Sequence, residues 1–205
     1  MGYFFLDIET YSDRNNPDSS LNPYYPESKV IVISYNYYSS FKHPIKEQIK
    51  PPSFLKEWES SERTILTNFY EILKEIRRRD NYLKMIGFNI LSFDLPYLFG
   101  RMKILEIADE SELYKLLFRS WEIDIYQLSS VISEKTITYE TLIGTNHKKV
   151  TEFFNMQAKE GSGLDCSRWY DNKQFGKIIK YCTEEFNFEQ LLDAFYLHIA
   201  KKFNK

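Results

Sequence analysis

The run YFFLDIET, residues 3–10, holds Asp7 and Glu9 at alternate positions among apolar and aromatic residues. Alternation over so short a run is strand-like, and residues two apart on a strand share a face about 6.6 Å apart along it. On a face open to water the two charges would simply be solvated. On a buried face they would repel and lose hydration unless a cation stood between them, and hard divalent cations favour such oxygen ligands. A second polar group lies in IGFNILSFDLPYLFGR, residues 86–101, where Asn89 ends an apolar strand-like run and Asp94 opens a helix-like one. An acid at that junction can cap the helix or face a site. A third lies in KYCTEEF, residues 180–186, where Tyr181 and Glu185 stand four apart and so share a helix face. Glu184 lies about 100° round the helix from Glu185 and is a poor substitute for it.

The elements that must position these groups are legible in part. KVIVISYNYY (29–38) is β-branched and aromatic and predicts a strand, antiparallel to the first. KHPIKEQIKPPS (42–53) predicts a short edge strand closed by Pro51 and Pro52. SSERTILTNFYEILKEIRRRD (60–80) predicts a helix capped by Ser60 or Ser61, with Ile65, Leu66, Phe69, Ile72, Leu73 and Ile76 on its apolar stripe. Its Arg77-Arg78-Arg79 end reads as a solvated basic terminus that suits the helix dipole. Residues 82–89 predict a strand, 94–105 and 109–120 helices, and 121–128 a strand running into a helix. Short helices and loops are expected from 137 to 174, then one long helix over 175–203. Hairpin-like strands followed by alternating strands and helices make the fold class α/β, a mixed sheet with helices on both faces.

The chain has 205 residues, which suits a single domain spanning 1–205. Hydrophobic residues are 43%, enough for a globular core rather than disorder. The net charge of −2 is not that of a passive nucleic-acid binder, although bound divalent ions would reverse the sign locally. Cys166 and Cys182 form no CxxC pair, so a reducing, cytoplasmic setting is expected. No signal peptide is read, since acids stand within the first ten positions, and no apolar run reaches the ~18 residues of a membrane span.

Taken together, D-x-E on a strand, N-x-x-x-F-D at a strand-to-helix junction and Y-x-x-x-acid on a late helix resemble the DEDD 3′–5′ exonuclease pattern. More closely, FLDIET, GFNILSFDLPYLFGR and YCTEE resemble the motifs of the proofreading exonuclease domain of B-family DNA polymerases and its free-standing relatives, across residues 4–185. The resemblance is to the Tyr-containing subtype, since Lys180 stands where the other subtype has histidine. It implies a ribonuclease H-like sheet with an acidic site holding two divalent metal ions, Mg²⁺ or Mn²⁺. Such ions lie about 3.5–4 Å apart and clamp a phosphodiester, one serving the attacking water and one the leaving 3′-oxygen.

By the same resemblance Asp7 bridges the ions, Glu9 and Glu185 hold the one on the nucleophile side, and Asp94 reaches the other partly through water. Tyr181 positions water and phosphate, because a phenol of ordinary pKa near 10 is a poor base at neutral pH. Thr10 and Asn89 match positions that contact the terminal nucleotide or its phosphate, while Phe93 packs the junction. Glu185 departs from the pattern, which nearly always has Asp there. Two readings follow: a site that tolerates Glu and cuts, or a weakened exonuclease fold that binds nucleic acid or scaffolds without cutting.

The expected activity is removal of mononucleotides from the 3′ end of single-stranded DNA. An exoribonuclease is the further alternative, since no motif announces a 2′-hydroxyl contact. The chain is too short to include a polymerase, so a separate nuclease or a subunit working beside a separate polymerase or repair protein is expected, with no membrane partner. Asp124 reads as a helix cap or a further ligand, and Cys182 as a packed thiol. Scattered histidines argue against zinc. The loop around Gly161–Asp165 could line a substrate groove, and Lys148, Lys149, Lys177 and Lys180 could meet a nucleic-acid backbone or remain solvated.

Overall fold

The computed structural model describes residues 1–13, 21–42, 49–119, 121–129, 146–157 and 161–203. β1 (Gly2–Tyr11) is the middle strand of a five-stranded sheet of order β3-β2-β1-β4-β5, formed with β2 (Lys29–Tyr38), β3 (Ser53–Lys56), β4 (Leu83–Gly87) and β5 (Trp121–Asp124). β2 runs antiparallel to both β1 and β3, whereas β4 is parallel to β1 and β5. Parallel pairs need crossovers. α1 (Glu62–Arg79) supplies the first, and α2 (Asp94–Ile104) with α3 (Glu110–Phe118) the second. The remaining described α-helices are α4 (Ile125–Leu128), α5 (His147–Phe153), α6 (Gly163–Asp171), α7 (Phe175–Glu185) and α8 (Phe188–Phe203).

The alternation of β1 divides its side chains between two cores. Phe4, Leu6 and Ile8 pack with Ile65, Phe69 and Leu73 of α1 and Leu95 and Leu98 of α2. Phe5 packs on the other side with Phe188, Leu191 and Phe195 of α8. Beyond it Cys166 of α6 and Ile178, Tyr181 and Cys182 of α7 cluster with Ile31 and Val32 of β2. Each fully buried ring or branched side chain contributes roughly 1.5–3 kcal/mol, so both layers are held firmly to the strand.

Three local expectations are corrected. The edge strand lies after the prolines, at Ser53–Lys56, where it pairs with Val32–Tyr35 of β2. Proline has no N–H for a ladder, so pairing begins once the two prolines are past; residues 43–48 of the predicted strand lie outside the described residues. The single helix over 175–203 is two helices. Phe186 adopts φ −78°, ψ 68°, an inverse γ-turn in which Asn187 N donates to Glu185 O at 2.8 Å. The side chain of Asn187 meets Nε2 of His147, and the Phe186 ring packs on Phe188, so the break is held from outside the helix. Arg77 is not at a solvated end: it donates to the Leu116 carbonyl, while Arg78 and Arg79 pair with Glu75. Elsewhere α1 follows expectation, with Ser61 as its cap and five of its six stripe residues buried, Ile72 partly so.

Candidate active site

β1 pairs with β4 only through Phe5, opposite Ile86, and then runs on alone on that side. At the parting point Gly87 lies so close to β1 that a Cβ there would stand 2.6 Å from the Leu6 carbonyl oxygen. The ladder position vacated by β4 is filled by Asp94 at the start of α2, whose Oδ1 accepts from Ile8 N at 3.0 Å. On the opposite side a register shift in the β1–β2 ladder falls between Glu9 and Thr10. Bulges of this kind bend a strand and re-aim its side chains.

Asp7 and Glu9 both point to the face covered by α6 and α7. Glu185, the last residue of α7, meets them there: one carboxylate oxygen from each of the three lies within 4.8 Å of the others. Asp7 and Glu9 are buried and Glu185 is half-buried. Like charges at such a distance repel by roughly 3.5 kcal/mol per pair at an effective dielectric constant of 20, so the arrangement asks for positive charge among them. The added methylene of Glu185 does not prevent its carboxylate from reaching the group.

The Tyr181 hydroxyl donates to Glu185, one helical turn on, and the phenol is buried. Burial, with the charges of Glu9 and Glu185, pushes its pKa well above the ordinary value, so it stays protonated and acts as a donor. Asp94 stands beside the three-acid group rather than in it. Burial raises its carboxyl above the usual range and the nearby charge of Glu185 adds to this, against the lowering effect of the Ile8 N–H.

Thr10 is half-buried, and its hydroxyl is hydrogen-bonded to Tyr97. Asn89 sits in the β4–α2 turn at φ 61°, a left-handed conformation that asparagine tolerates better than most residues. That turn is pinned by Asp124, which accepts from Asn89 N at 2.8 Å, Leu91 N at 3.2 Å and Tyr126 N at 2.9 Å. Asp124 therefore caps α4, as one of its two readings had it, and also holds the turn that precedes Asp94.

One feature had little local signal. The Cys166 thiol hydrogen-bonds Glu9, and burial together with that carboxylate raises its pKa. Cys182 is also buried, its thiol raised by burial and then by the charges of Glu9, Asp7 and Glu185. Neither is a nucleophile in this setting, and Cys166 orients an acid. The loop expected around Gly161–Asp165 is shorter than that, since α6 begins at Gly163 and takes in Asp165, but the segment Gly161–Gly163 does run close to Glu9 and Tyr181. A Cβ on Gly163 would lie 3.5 Å from Glu9 Oε2, and one on Gly161, at φ 94°, would lie 3.8 Å from the Tyr181 ring. Beside it opens a cavity of about 470 Å³ walled by Glu9, Thr10, Leu21, Phe93, Gly163 and Leu164. Phe93 thus faces this cavity as well as packing on Tyr97. Among the described residues the three acids are the one cluster of potential metal ligands, and His147, bonded to Asn187, lies outside it. No described helix is long and apolar enough to cross a membrane.

A mixed sheet with helices on both faces and acids at its middle strand defines a ribonuclease H-like nuclease fold. The sequence matches the model of the exonuclease domain of DNA polymerase family B over residues 4–177, and the chain belongs to that family. Tyr181 and Glu185 lie beyond the matched range. Among solved structures, the chain is similar to the family B DNA polymerase from the hyperthermophilic archaeon Pyrobaculum calidifontis, with a TM-score of 0.60 and 15% identity. The likeness covers 98% of this chain and 24% of the polymerase. No curated protein matches.

Proposed function

We propose that the protein is a metal-dependent 3′–5′ exonuclease that releases nucleoside monophosphates from the ends of single-stranded DNA. The observation that carries this reading is the meeting of Asp7, Glu9 and Glu185 at one buried point beside a cavity, in a chain of the polymerase exonuclease family. The donor set suits the group it would hold: three carboxylates, all hard oxygen ligands, fit Mg²⁺ or Mn²⁺ rather than a softer metal. Asp7, Glu9 and Glu185 would hold the ions, with Asp94 adjoining. Bound divalent ions would supply positive charge for the phosphate oxygens and make an attacking water more acidic.

The chain's own residues do the rest. Tyr181, held protonated, has a single O–H: donated to Glu185 it fixes that carboxylate, and its oxygen can still accept from the attacking water. Cys166 fixes Glu9 in the same way. Thr10 borders the cavity that would take the terminal nucleoside, and Asn89 lies in the turn leading to Asp94. The family context favours a polymerase or repair partner.

The test is incubation of 3′- and 5′-labelled DNA and RNA oligonucleotides with Mg²⁺, Mn²⁺ or EDTA. A ladder from the 3′ end of DNA that vanishes in EDTA is expected; a ladder on RNA alone would make the enzyme an exoribonuclease. A second reading, a weakened exonuclease fold that binds or scaffolds, is favoured by Asp94, one of whose oxygens is committed to Ile8 N. DNA left intact with either ion while still bound would establish that reading instead.

A further inference from the structure

A buried tyrosine is costly unless its hydroxyl is bonded. Tyr97 of α2 is 2% exposed, and its hydroxyl is bonded to two side chains, Thr10 and Ser28. Phenylalanine would fill nearly the same space without that demand, so the hydroxyl raises a question of use. Its partners come from different parts of the chain. Thr10 stands near the end of β1, two residues beyond Ile8, and Ser28 stands just before β2.

Tyr97 meets the cavity beside the acids from behind, touching its walls without being one of them. Thr10 is one wall and Phe93 another, and the Phe93 ring packs on Tyr97 with centroids 5.4 Å apart. A third wall is Leu21, which is exposed and holds φ 59°, a conformation that leucine rarely adopts. The segment from Leu21 to Ser28 is gripped by α2 at three positions. Tyr97 bonds Ser28, Gly100 makes room for the Pro23 ring, from which a Cβ would stand 2.9 Å away, and Arg101 Nη1 donates to the Pro23 carbonyl at 2.8 Å. These positions are three and four residues apart and so share a face of the helix. Arg101 is itself fixed by two bonds to Glu62 of α1, at 2.7 and 2.8 Å, and Glu62 also accepts from Val30 N at 2.9 Å.

Resting on the exonuclease reading, we infer that Tyr97 is a positioning residue for the terminal nucleoside: its hydroxyl fixes the Thr10 side chain at the cavity and ties it to Ser28, so that the walls on either side keep their spacing before substrate arrives. The phenol lies behind Thr10 and Phe93 and takes no part in the hydrolysis itself. Its contribution is to binding, because a side chain already held in place loses less freedom when a ligand meets it. Without the hydroxyl, Thr10 is free to change rotamer, and the segment that carries Leu21 keeps only its attachments at Pro23.

The test is Tyr97→Phe, which deletes the hydroxyl and keeps the ring on Phe93. Binding of an eight-residue thymidylate oligonucleotide is measured by fluorescence anisotropy in Ca²⁺, and its hydrolysis in Mn²⁺. Kd and KM should each rise about fivefold, the worth of one hydrogen bond, while kcat stays within about twofold of wild type. In a Thr10→Val background the same substitution should add less than about twofold, because the hydroxyl acts through Thr10. Leu98→Val, a small loss from the apolar core of the same helix, should lower the melting temperature and leave Kd unchanged. An unchanged Kd in Tyr97→Phe would overturn the inference. So would a full fivefold loss in the Thr10→Val background, or an equal loss in Leu98→Val, which would mean that any loosening of α2 has the same effect. If the wild type binds the oligonucleotide and hydrolyses none of it, the exonuclease reading fails and the anisotropy series still decides the role of Tyr97. A wild type that does not bind the oligonucleotide would overturn both.

Discussion

The two faces of β1 share one backbone and differ in everything else. Phe4, Leu6 and Ile8 alternate with Phe5, Asp7 and Glu9, so each step along the strand passes from an uninterrupted apolar core to a face that turns acidic halfway. The first face holds the sheet to α1 and α2. The second gives up apolar packing after Phe5 and places charge where α6 and α7 can bring Cys166, Tyr181 and Glu185 to it. A strand can serve stability and chemistry at neighbouring residues because their side chains never meet.

Substitutions on the two faces should separate these duties. Asp7→Ala should reduce hydrolysis of a 3′-labelled oligonucleotide by about 1,000-fold or more, the several kcal/mol that a bound ion supplies, with the melting temperature unchanged or raised by relief of repulsion. Leu6→Ala, one residue away, should do the reverse. A cavity in the apolar core should cost about 3 kcal/mol, or a fall of about 10 °C in melting temperature, with the specific activity of the folded fraction retained. A large stability loss from the first or a large activity loss from the second would break the contrast. Saturating Mn²⁺ should raise the melting temperature of the wild type, by about 2.7 kcal/mol of stability at 100 times Kd, and EDTA should abolish the gain. The same titration of Asp7→Ala should give little or no shift.

Glu185→Asp should retain or raise activity, because the acidic face needs a carboxylate at that position more than a particular length; loss of activity would show that the longer arm is required. The smallest effect belongs to alkaline pH. Tyr38 packs edge-on to Phe5 beside buried Glu189, and burial, with the charge of Glu189, raises its pKa to about 12. A raised phenol holds its proton longer in the folded state. Its contribution is therefore fully present below about 10 and lost as pH climbs from there through about 12. Tyr38→Phe should flatten part of that decline in thermal melts from pH 9 to 12.

What could be read from sequence follows the range over which each feature is specified. The acids of β1 and the opening of α2 at Asp94 announce themselves within a few residues, through alternation and through the apolar period that follows. The stripe of α1 does the same over five turns. The interruption at Phe186 and Asn187 could not be read that way, because apolar spacing continues through it and the partner that fixes it, His147, lies 40 residues away. The shift of β3 past its prolines, the turn-holding role of Asp124 and the bond from Cys166 to Glu9 are likewise set across the fold. The buried pair of Glu62 with Arg101, at 2.7 Å, is of the same kind: each residue looks like ordinary helix surface until the two helices meet.

Asp94 carries a consequence of its own. By accepting the Ile8 amide where β4 has departed, its carboxylate serves as a stand-in neighbour for the strand. Deleting it would strand a buried donor, at a cost of about 1–3 kcal/mol, whether or not the protein cuts anything. The fold alone therefore asks for an acceptor oxygen at this position, whether or not it carries a charge. Asp94→Asn, which keeps an oxygen for Ile8 while discarding the charge, is the substitution that separates the scaffold's need from that of the chemistry.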